Sequence, residues 1–294
     1  MNISNDDELF GHDLASVLRL DKLGSDIFSG RIAASVVRDQ GPWAALYGGQ
    51  VAAQSLMAAG MTLPPGWRPH SLHGYFLRAG LRDRRIEFRV DRDRDGRSFS
   101  ARHVSAMQDG KVIFSMLASF TNRDSPTVLD KVRSRNDALG QPEEYPRFGI
   151  DQLIDARQVT ELRMHNGSLL QPDCLWMRTP VALADDPLTQ AAALTYMSDL
   201  GSGFGQIEDS NLGSGGISLD HAMWFHEPIP SHEWMLLDMW PVSAVTGRGV
   251  YHGSLRDQQG RIGATIAQET LLRHLTAIPV EFQRRQPDDA QETA

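Results

Sequence analysis

Three polar residues in the last third of the chain have side chains that together could hold and activate one water molecule. They are Asp199, Ser218 and Gln268. A carboxylate can accept a proton from water, while a hydroxyl and a primary amide fix the direction in which the water oxygen attacks. This chemistry requires no covalent nucleophile. The question is whether the fold brings the three side chains together.

The sequence around Gln268 provides the first argument that the fold brings the three side chains together. The stretch from Arg261 to Arg273 alternates with a period of two, which predicts a strand with Gln268 on a mostly apolar face. A primary amide has four hydrogen-bonding sites, and leaving them unpaired in a core is costly. We therefore expect polar partners opposite Gln268. A glutamine at a strand end, solvated or bonded to a loop, is the simpler alternative.

Asp199 and Ser218 are weaker candidates when each is considered alone. Asp185-Asp186-Pro187 predicts the start of a helix that runs to about Leu200 and ends at Gly201. Asp199 would then lie in the last turn, where its charge meets the negative end of the helix dipole. Either another partner offsets this cost or the residue is simply solvated. Ser218 begins a predicted strand, where it could equally be an ordinary turn hydroxyl.

The elements that must position these residues occur twice along the chain. A helix with few bulky side chains is predicted from Leu46 to Gly60, and four strands follow it to about Phe120, with hairpin turns at Asp95-Gly96 and Asp109-Gly110. The segment 185–273 repeats this order. Gly96-Arg97 matches Gly247-Arg248, and Gly110-Lys111 matches Gly260-Arg261. We infer a duplication with a pseudo-two-fold axis, each half being an α+β layer of one long helix on an antiparallel sheet.

This duplication predicts the division of the chain into domains. Residues 10–122 form the first repeat and residues 151–276 the second. Between them, residues 123–150 are a predicted linker, because apolar residues become scarce and prolines accumulate. The tail 277–294 lacks apolar periodicity and is predicted to be partly disordered.

Composition excludes several other functions. A net charge of -8 argues against a nucleic-acid partner, and no apolar run is long enough to span a bilayer. The single cysteine, Cys174, rules out an internal disulfide and is predicted to be an inert core thiol, which fits a reducing compartment. The acidic N-terminus does not resemble a secretion signal, so a cytoplasmic location is expected.

Metal and cofactor chemistry also lack support in the sequence. The chain has no Gly-x-Ser-x-Gly elbow, no His-Glu-x-x-His pair and no phosphate or dinucleotide glycine motif, so we expect no cofactor and no metal. The histidine pairs His70/His73 and His221/His226 lie in predicted strands without a matching carboxylate or cysteine cluster. We interpret them as structural residues that donate to backbone carbonyls near a sheet edge.

Six runs of residues, in order between about Leu14 and Arg273, closely resemble the TesB-like acyl-CoA thioesterases. They are Tyr47-Gly48-Gly49-Gln50-Val51, His70 to Arg78, Asp95 to Arg102, Tyr196-Met197-Ser198-Asp199, Leu219 to His226, and Ala267-Gln268-Glu269. The resemblance implies a double hotdog fold and hydrolysis of the thioester of fatty acyl-CoA by activated water. It assigns the aspartate role to Asp199 and the glutamine role to Gln268. The family's threonine position is occupied by Ser218, which keeps the hydroxyl but loses the methyl group that limits its rotation.

The resemblance also implies an acyl-CoA substrate and a homo-oligomer, a dimer or tetramer. Because coenzyme A is strongly anionic, some of four arginines could contact it, although each could equally form a surface ion pair. They are Arg78, Arg97, Arg102 and Arg248. Two alternatives stay open: a hotdog enoyl-CoA hydratase, and an acyl-CoA-binding protein without catalysis. The hydratase chemistry usually needs an Asp-His pair, whereas Asp220 and His221 are adjacent and point to opposite faces of a strand.

Overall fold

The computed structural model describes residues 9–34, 45–123, 136, 139–149, 151–160, 164–165, 168–169, 172–204 and 212–274. In the first half, helix α1 spans Leu14–Leu18 and helix α2 spans Gly48–Gly60. The strands of this half are β1 Phe10–Gly11, β2 Asp21–Gly24, β3 Ile27–Gly30, β4 Ile32–Ala33, β5 Arg68–Phe76, β6 Ile86–Asp95, β7 Phe99–Gln108 and β8 Lys111–Thr121. The four long strands β5 to β8 follow α2, as the alternating pattern predicts.

The second half has the same order of a helix and then strands. Helix α3 spans Pro187–Met197, and a short 3-10 turn spans Pro142–Glu144. The strands are β9 Asp155–Gln158, β10 Met164–His165, β11 Ser168–Leu169, β12 Cys174–Arg178, β13 Leu212–Ser218, β14 Asp220–Phe225, β15 Met235–Val245, β16 Arg248–Asp257 and β17 Ile262–His274. Cys174, the predicted inert thiol, is the first residue of β12 and is fully buried.

One large sheet of 13 strands dominates the described fold. Its strands follow the order β2-β3-β6-β7-β8-β5-β14-β17-β16-β15-β12-β9, and β13 pairs with β17 beside this path. All the strand pairs in this sheet are antiparallel. β5 and β14 pair at its centre and join the strands of the two halves. The prediction of antiparallel sheet with few helices is therefore confirmed.

Tight turns connect the long strands. Asp109 and Gly110 have φ angles of 49° and 71°, and Thr246 and Gly247 have 53° and 74°. Positive φ at both central residues matches the right-handed twist of the flanking strands in a hairpin, and glycine adopts it without steric cost. The hairpin predicted at Asp109-Gly110 is confirmed.

The two central helices lie side by side and run in opposite directions. A Cβ on Gly49, near the start of α2, would lie 2.6 Å from the backbone oxygen of Tyr196, near the end of α3. A Cβ on Gly60, at the end of α2, would lie 2.4 Å from the side chain of Leu188, near the start of α3. This close approach requires glycine at both crossings. α2 also packs against β5, β6, β7 and β8, whereas α3 packs against α2 and β5.

Helix α3 begins as predicted and ends earlier than predicted. The Asp186 side chain caps its start by accepting hydrogen bonds from the N–H groups of Leu188 and Thr189, and Pro187 occupies the first turn. The helix ends at Met197 rather than Leu200, with Ser198 as its C-cap. The Leu200 N–H then bonds to the Met197 carbonyl at 3.2 Å, which tightens the chain into a three-residue turn. Asp199 therefore lies beyond the last helical turn.

The longest described part of the predicted linker, residues 139–149, is packed against the second half. Phe148 donates its N–H to the Ala156 carbonyl, and Gln158 donates to the Pro146 carbonyl, both at 2.9 Å. Part of the segment 123–150 therefore lies beside β9. Residues 124–135 and the tail 277–294 lie outside the described residues. No helix in the described ranges is long and apolar enough to cross a membrane.

Candidate active site

Asp199, Ser218 and Gln268 meet in space and contact one another. The Gln268 Nε2 donates to Asp199 Oδ1 at 3.0 Å and also to Ser218 Oγ. The Ser218 hydroxyl lies 3.4 Å from the same Asp199 oxygen, to which it donates. The carboxylate, hydroxyl and amide thus form a closed triangle of hydrogen bonds.

Gln268 belongs to the buried face of β17, as the alternating pattern predicts. Its side chain is 2% exposed, and Ala264, Ile266 and Leu272 on the same face are also buried. Along β17 the neighbouring strand changes at this point, because β14 pairs with residues 264–267 and β13 with residues 270–274. Ser218, the last residue of β13, pairs with Thr270. The change of partner strand places the serine hydroxyl beside the amide.

Asp199 is positioned by the antiparallel packing of the two helices. Its Oδ2 accepts a hydrogen bond of 2.9 Å from the backbone N–H of Gly49, in the first turn of α2. Of the two alternatives for Asp199, the structure supports a partner that offsets the cost at the end of its own helix, because the carboxylate reaches the positive end of the other helix. A Cβ on Gly48 would lie 2.7 Å from the same oxygen. The glycine pair thus leaves room for the carboxylate.

His221 is the residue that the sequence interpretation missed. It lies on β14, between β5 and β17, and is 1% exposed. Its Nδ1 contacts Gln268 Oε1, and its Nε2 lies 2.8 Å from Ser198 Oγ. The predicted role of His221, donation to backbone carbonyls near a sheet edge, was wrong because its ring nitrogens face two side chains inside the sheet. The period-two pattern puts His221 on the same face as the buried Met223, a signal that could have found it.

Asp220 faces the other way. Its carboxylate accepts a hydrogen bond of 2.6 Å from the Glu269 N–H. Asp220 and His221 therefore do not act together on one face, which disfavours the hydratase alternative. This agrees with the strand geometry expected from the sequence.

Tyr251 lies directly opposite Gln268 on the neighbouring strand β16. Its side chain is fully buried, and the ring meets that of Phe204 edge-on with centroids 6.1 Å apart. Burial raises the pKa of Tyr251 well above its usual value, and the negative charges of Asp199 and Asp220 raise it further. The phenol consequently stays protonated beside the carboxylate.

The four arginines expected near coenzyme A are placed apart from this triangle. Arg102 is 0% exposed and donates to Thr62 Oγ1 at 2.7 Å and to Asp95, as well as to two backbone carbonyls. The expectation that Arg102 contacts coenzyme A is contradicted by this burial. Arg78 and Arg97 are exposed, at opposite ends of the β7–β8 hairpin.

Arg248 is also exposed and forms an ion pair of 3.2 Å with Glu269. It lies three residues from Tyr251 along β16, so its side chain is on the opposite face of the strand from Tyr251 and Gln268. Arg248 therefore lies on the strand next to Gln268, but its side chain does not face the triangle.

Asp199 and Ser218 are both half-buried, whereas Gln268 is buried. Within the described residues, no group of three or more His, Cys, Asp or Glu side chains is arranged to hold a metal ion.

Comparisons with known proteins match both halves of the chain. The profile of the acyl-CoA thioesterase N-terminal domain matches residues 39–121, and that of the acyl-CoA thioesterase C-terminal domain matches residues 132–272. A curated protein of Rattus norvegicus, acyl-coenzyme A thioesterase 8, is 31% identical over 289 residues. That alignment covers 88% of this chain and 88% of the rat protein.

Solved structures show the same similarity at the level of the fold. A structure described as acyl-CoA thioesterase II TesB2 from Mycobacterium marinum has a TM-score of 0.72 at 35% identity and covers 90% of this chain and 100% of its own. A protein of unknown function from Alicyclobacillus acidocaldarius, described as having a hot dog fold, has a TM-score of 0.68 at 21% identity, with the same coverage. The chain thus has the hotdog fold expected from the resemblance.

Proposed function

The chain belongs to the acyl-CoA thioesterase family, and we propose that it hydrolyses the thioester of fatty acyl-CoA to a free fatty acid and coenzyme A. The relatives that cover most of the chain are named for this activity. The observation that carries the mechanism is the triangle formed by Asp199, Ser218 and Gln268. It joins a proton acceptor to a hydroxyl that can orient a water molecule and to an amide that holds both groups in place.

In the proposed reaction, Asp199 is the general base. A water bound to Asp199 Oδ1 gives up a proton to the carboxylate as its oxygen attacks the thioester carbonyl carbon. The tetrahedral intermediate then collapses, the bond from carbon to sulfur breaks, and the proton passes to the departing thiolate. The products are the carboxylic acid and the free thiol of coenzyme A, so the reaction needs no group beyond water.

Ser218 and Gln268 have different parts in this proposal. The hydrogen bond from the Ser218 hydroxyl to Asp199 is long at 3.4 Å, so the hydroxyl can turn to a bound water at little cost. Both N–H groups of the Gln268 amide are used, one on Asp199 and one on Ser218. Gln268 therefore acts by fixing the separation of the other two groups around the water.

The Asp199 carboxylate is held for this task from its other side. The Gly49 N–H occupies Oδ2, which leaves Oδ1 directed at Ser218 and Gln268. This hydrogen bond from the start of a helix fixes the orientation of the carboxylate. The two oxygens thus have separate functions, one for anchoring and one for chemistry.

For coenzyme A, we retain Arg78, Arg97 and Arg248 as candidate contacts, because their side chains are exposed. We also propose a cytoplasmic location, which the single cysteine supports, and a homo-oligomeric state, which rests on the family resemblance. An acyl-CoA-binding protein without catalysis is the second outcome that the following experiment can give.

The experiment measures free thiol released from acyl-CoAs of short, medium and long chain by the wild type and by Asp199→Asn. The exposed Asp185→Asn serves as the matched control. We expect the wild type to release thiol and Asp199→Asn to be slower by about 10²- to 10⁴-fold, the usual contribution of a general base. Asp185→Asn should match the wild type. If the wild type binds acyl-CoA and releases no thiol, the thioesterase proposal is wrong and the binding-protein alternative replaces it.

A further inference from the structure

We propose that His221 is a positioning residue that sets the orientation of the Gln268 amide and thereby aligns Asp199 and Ser218. This inference rests on the proposed function, because it assigns a role within the same site. His221 does not touch Asp199 or Ser218 itself. It acts through Gln268, whose Oε1 it contacts.

The chemistry of the amide explains why a positioning residue is needed. The two ends of a glutamine amide have nearly the same shape, so packing alone does not distinguish the oxygen from the nitrogen. If the amide were reversed, Oε1 would face the carboxylate of Asp199, and two acceptors would meet. A donor on the far side of the amide prevents this reversal, and His221 Nδ1 occupies that position.

The contacts of His221 define which ring nitrogen carries the proton. Oε1 is an acceptor only, so Nδ1 must carry a hydrogen and donate it. In the neutral ring, Nε2 is then an acceptor, and the Ser198 hydroxyl at 2.8 Å can supply the hydrogen. Ser198 Oγ also lies 2.8 Å from the Thr195 carbonyl, to which it can donate when Nε2 carries a proton too. Nδ1 therefore carries a hydrogen and donates it to Gln268 Oε1 both in the neutral ring and in the ring that also has a proton on Nε2.

Contacts from Ser198 to His221 and from His221 to Gln268 therefore connect the end of α3 to the proposed water site. Ser198 is the C-cap of α3, and the next residue is Asp199. The same helix end provides the carboxylate and, through Ser198 and His221, the orientation of the amide that holds it. Because all of these groups are buried or half-buried, solvent offers no ready substitute for a lost partner.

The kinetic test compares two substitutions of His221, one that keeps a hydrogen-bond donor to Gln268 and one that removes it. In His221→Asn the side-chain amide nitrogen stands near the position of Nδ1 and can still donate to Gln268, whereas His221→Leu has a similar bulk and no donor. We expect kcat to fall by about 10- to 100-fold in His221→Leu with little change in KM, since a small misalignment costs this much. His221→Asn should recover most of the loss. Equal losses in the two variants would contradict the proposal.

A double-mutant cycle separates positioning from a general effect on folding. In a Gln268→Ala background the amide is absent, so His221→Leu should lower kcat by less than about 2-fold. If His221→Leu instead lowers kcat by the same factor in both backgrounds, His221 does not act through Gln268 and the inference is overturned.

A spectroscopic readout makes the test independent of catalysis. In the wild type, ¹⁵N NMR should show His221 with its proton on Nδ1, and the Gln268 side-chain NH₂ signals should be protected from exchange with water. His221→Asn should keep that protection and His221→Leu should lose it. A wild-type ring protonated only on Nε2 would refute the inference, even if thiol release confirms the thioesterase activity. Conversely, the expected NMR result with no thiol release would keep the positioning role and reject the proposed reaction.

Discussion

The Asp199 carboxylate accepts a hydrogen bond of 2.9 Å from the backbone N–H of Gly49, 150 positions earlier in the chain. This bond links the end of α3 to the start of α2, and it exists because the two helices are antiparallel. The carboxylate that we propose as general base lies in the second half and is thus oriented by the first half. The proposed site depends on the contact between the two halves rather than on either half alone.

The first prediction concerns Gly48, which precedes Gly49 at the start of α2. In Gly48→Ala the new Cβ would lie 2.7 Å from Asp199 Oδ2 and 2.9 Å from the Phe76 ring, closer than such atoms approach. The carboxylate must shift, so we expect kcat for thiol release to fall by about 10- to 100-fold, the usual effect of a misplaced catalytic group. The measurement is the rate with saturating acyl-CoA.

The matched control is Gly149→Ala, because a Cβ at Gly149 meets no atom within 4 Å and its φ is not positive. This variant should keep wild-type kcat. Thermal unfolding of both variants separates an effect on the site from an effect on stability. A Gly48→Ala enzyme with unchanged kcat would show that the position of Oδ2 is not critical.

The second prediction concerns the hydroxyl at position 218. Ser218→Ala removes the group that orients water, and we expect kcat to fall by about 10- to 100-fold. Ser218→Thr keeps the hydroxyl and adds a β-branch that restricts χ1 rotation. The threonine variant should therefore equal or exceed the wild type. A threonine variant as slow as the alanine variant would contradict an orienting role for the hydroxyl.

The sequence was most informative where a regular pattern carried the argument. The alternation through β17 predicted the buried face of Gln268 and its need for polar partners, and the structure supplies three: Asp199, Ser218 and His221. The Asp109-Gly110 pair predicted the β7–β8 hairpin, because positive φ at two successive residues is a local requirement. At Asp95-Gly96 the strands β6 and β7 are also antiparallel, but Gly96 has no positive φ and the connection is longer.

Other features depend on contacts between distant segments, which no local pattern encodes. The bond from the Gly49 N–H to Asp199 follows from the antiparallel packing of two helices. The role of His221 requires knowing that β14 lies beside β17 at Gln268. Arg102 was predicted either to contact coenzyme A or to form a surface ion pair, yet its long side chain turns into the protein. Sequence alternation alone could not show which donors it would meet there.

The third prediction follows from the burial of Arg102. Its guanidinium donates to Thr62, to Asp95 and to the carbonyls of Ala101 and Arg94. Arg102→Ala should lower the free energy of unfolding by about 2–4 kcal/mol, because the buried Thr62 hydroxyl and three further acceptors lose a charged donor. Urea unfolding measures this loss. The exposed Arg97→Ala should change stability by less than about 0.5 kcal/mol. If the two variants are equally stable, Arg102 is not a structural residue.

The fourth prediction is a pH dependence of stability that arises from Tyr251. Burial raises the pKa of Tyr251 in the folded protein above its unfolded value of about 10, and the charges of Asp199 and Asp220 raise it further. Below pH 10 the phenol is protonated in both states and contributes no pH dependence. Above pH 10 the phenol loses its proton in the unfolded chain and keeps it in the folded protein. The free energy of unfolding therefore falls as the pH rises towards the folded pKa of Tyr251. The wild type should therefore lose stability in alkaline solution.

Tyr251→Phe removes this titration and leaves the ring. Between pH 10 and 11, the free energy of unfolding should fall less steeply in Tyr251→Phe than in the wild type, by up to about 1.4 kcal/mol per pH unit. Tyr75→Phe is the matched control, because Tyr75 is 60% exposed. Its unfolding free energy should follow the wild type across the same range. Identical slopes for Tyr251→Phe and the wild type would mean that the Tyr251 phenol ionises as readily in the folded protein as in the unfolded chain. In that case the fold would not keep a neutral phenol beside the carboxylate of Asp199.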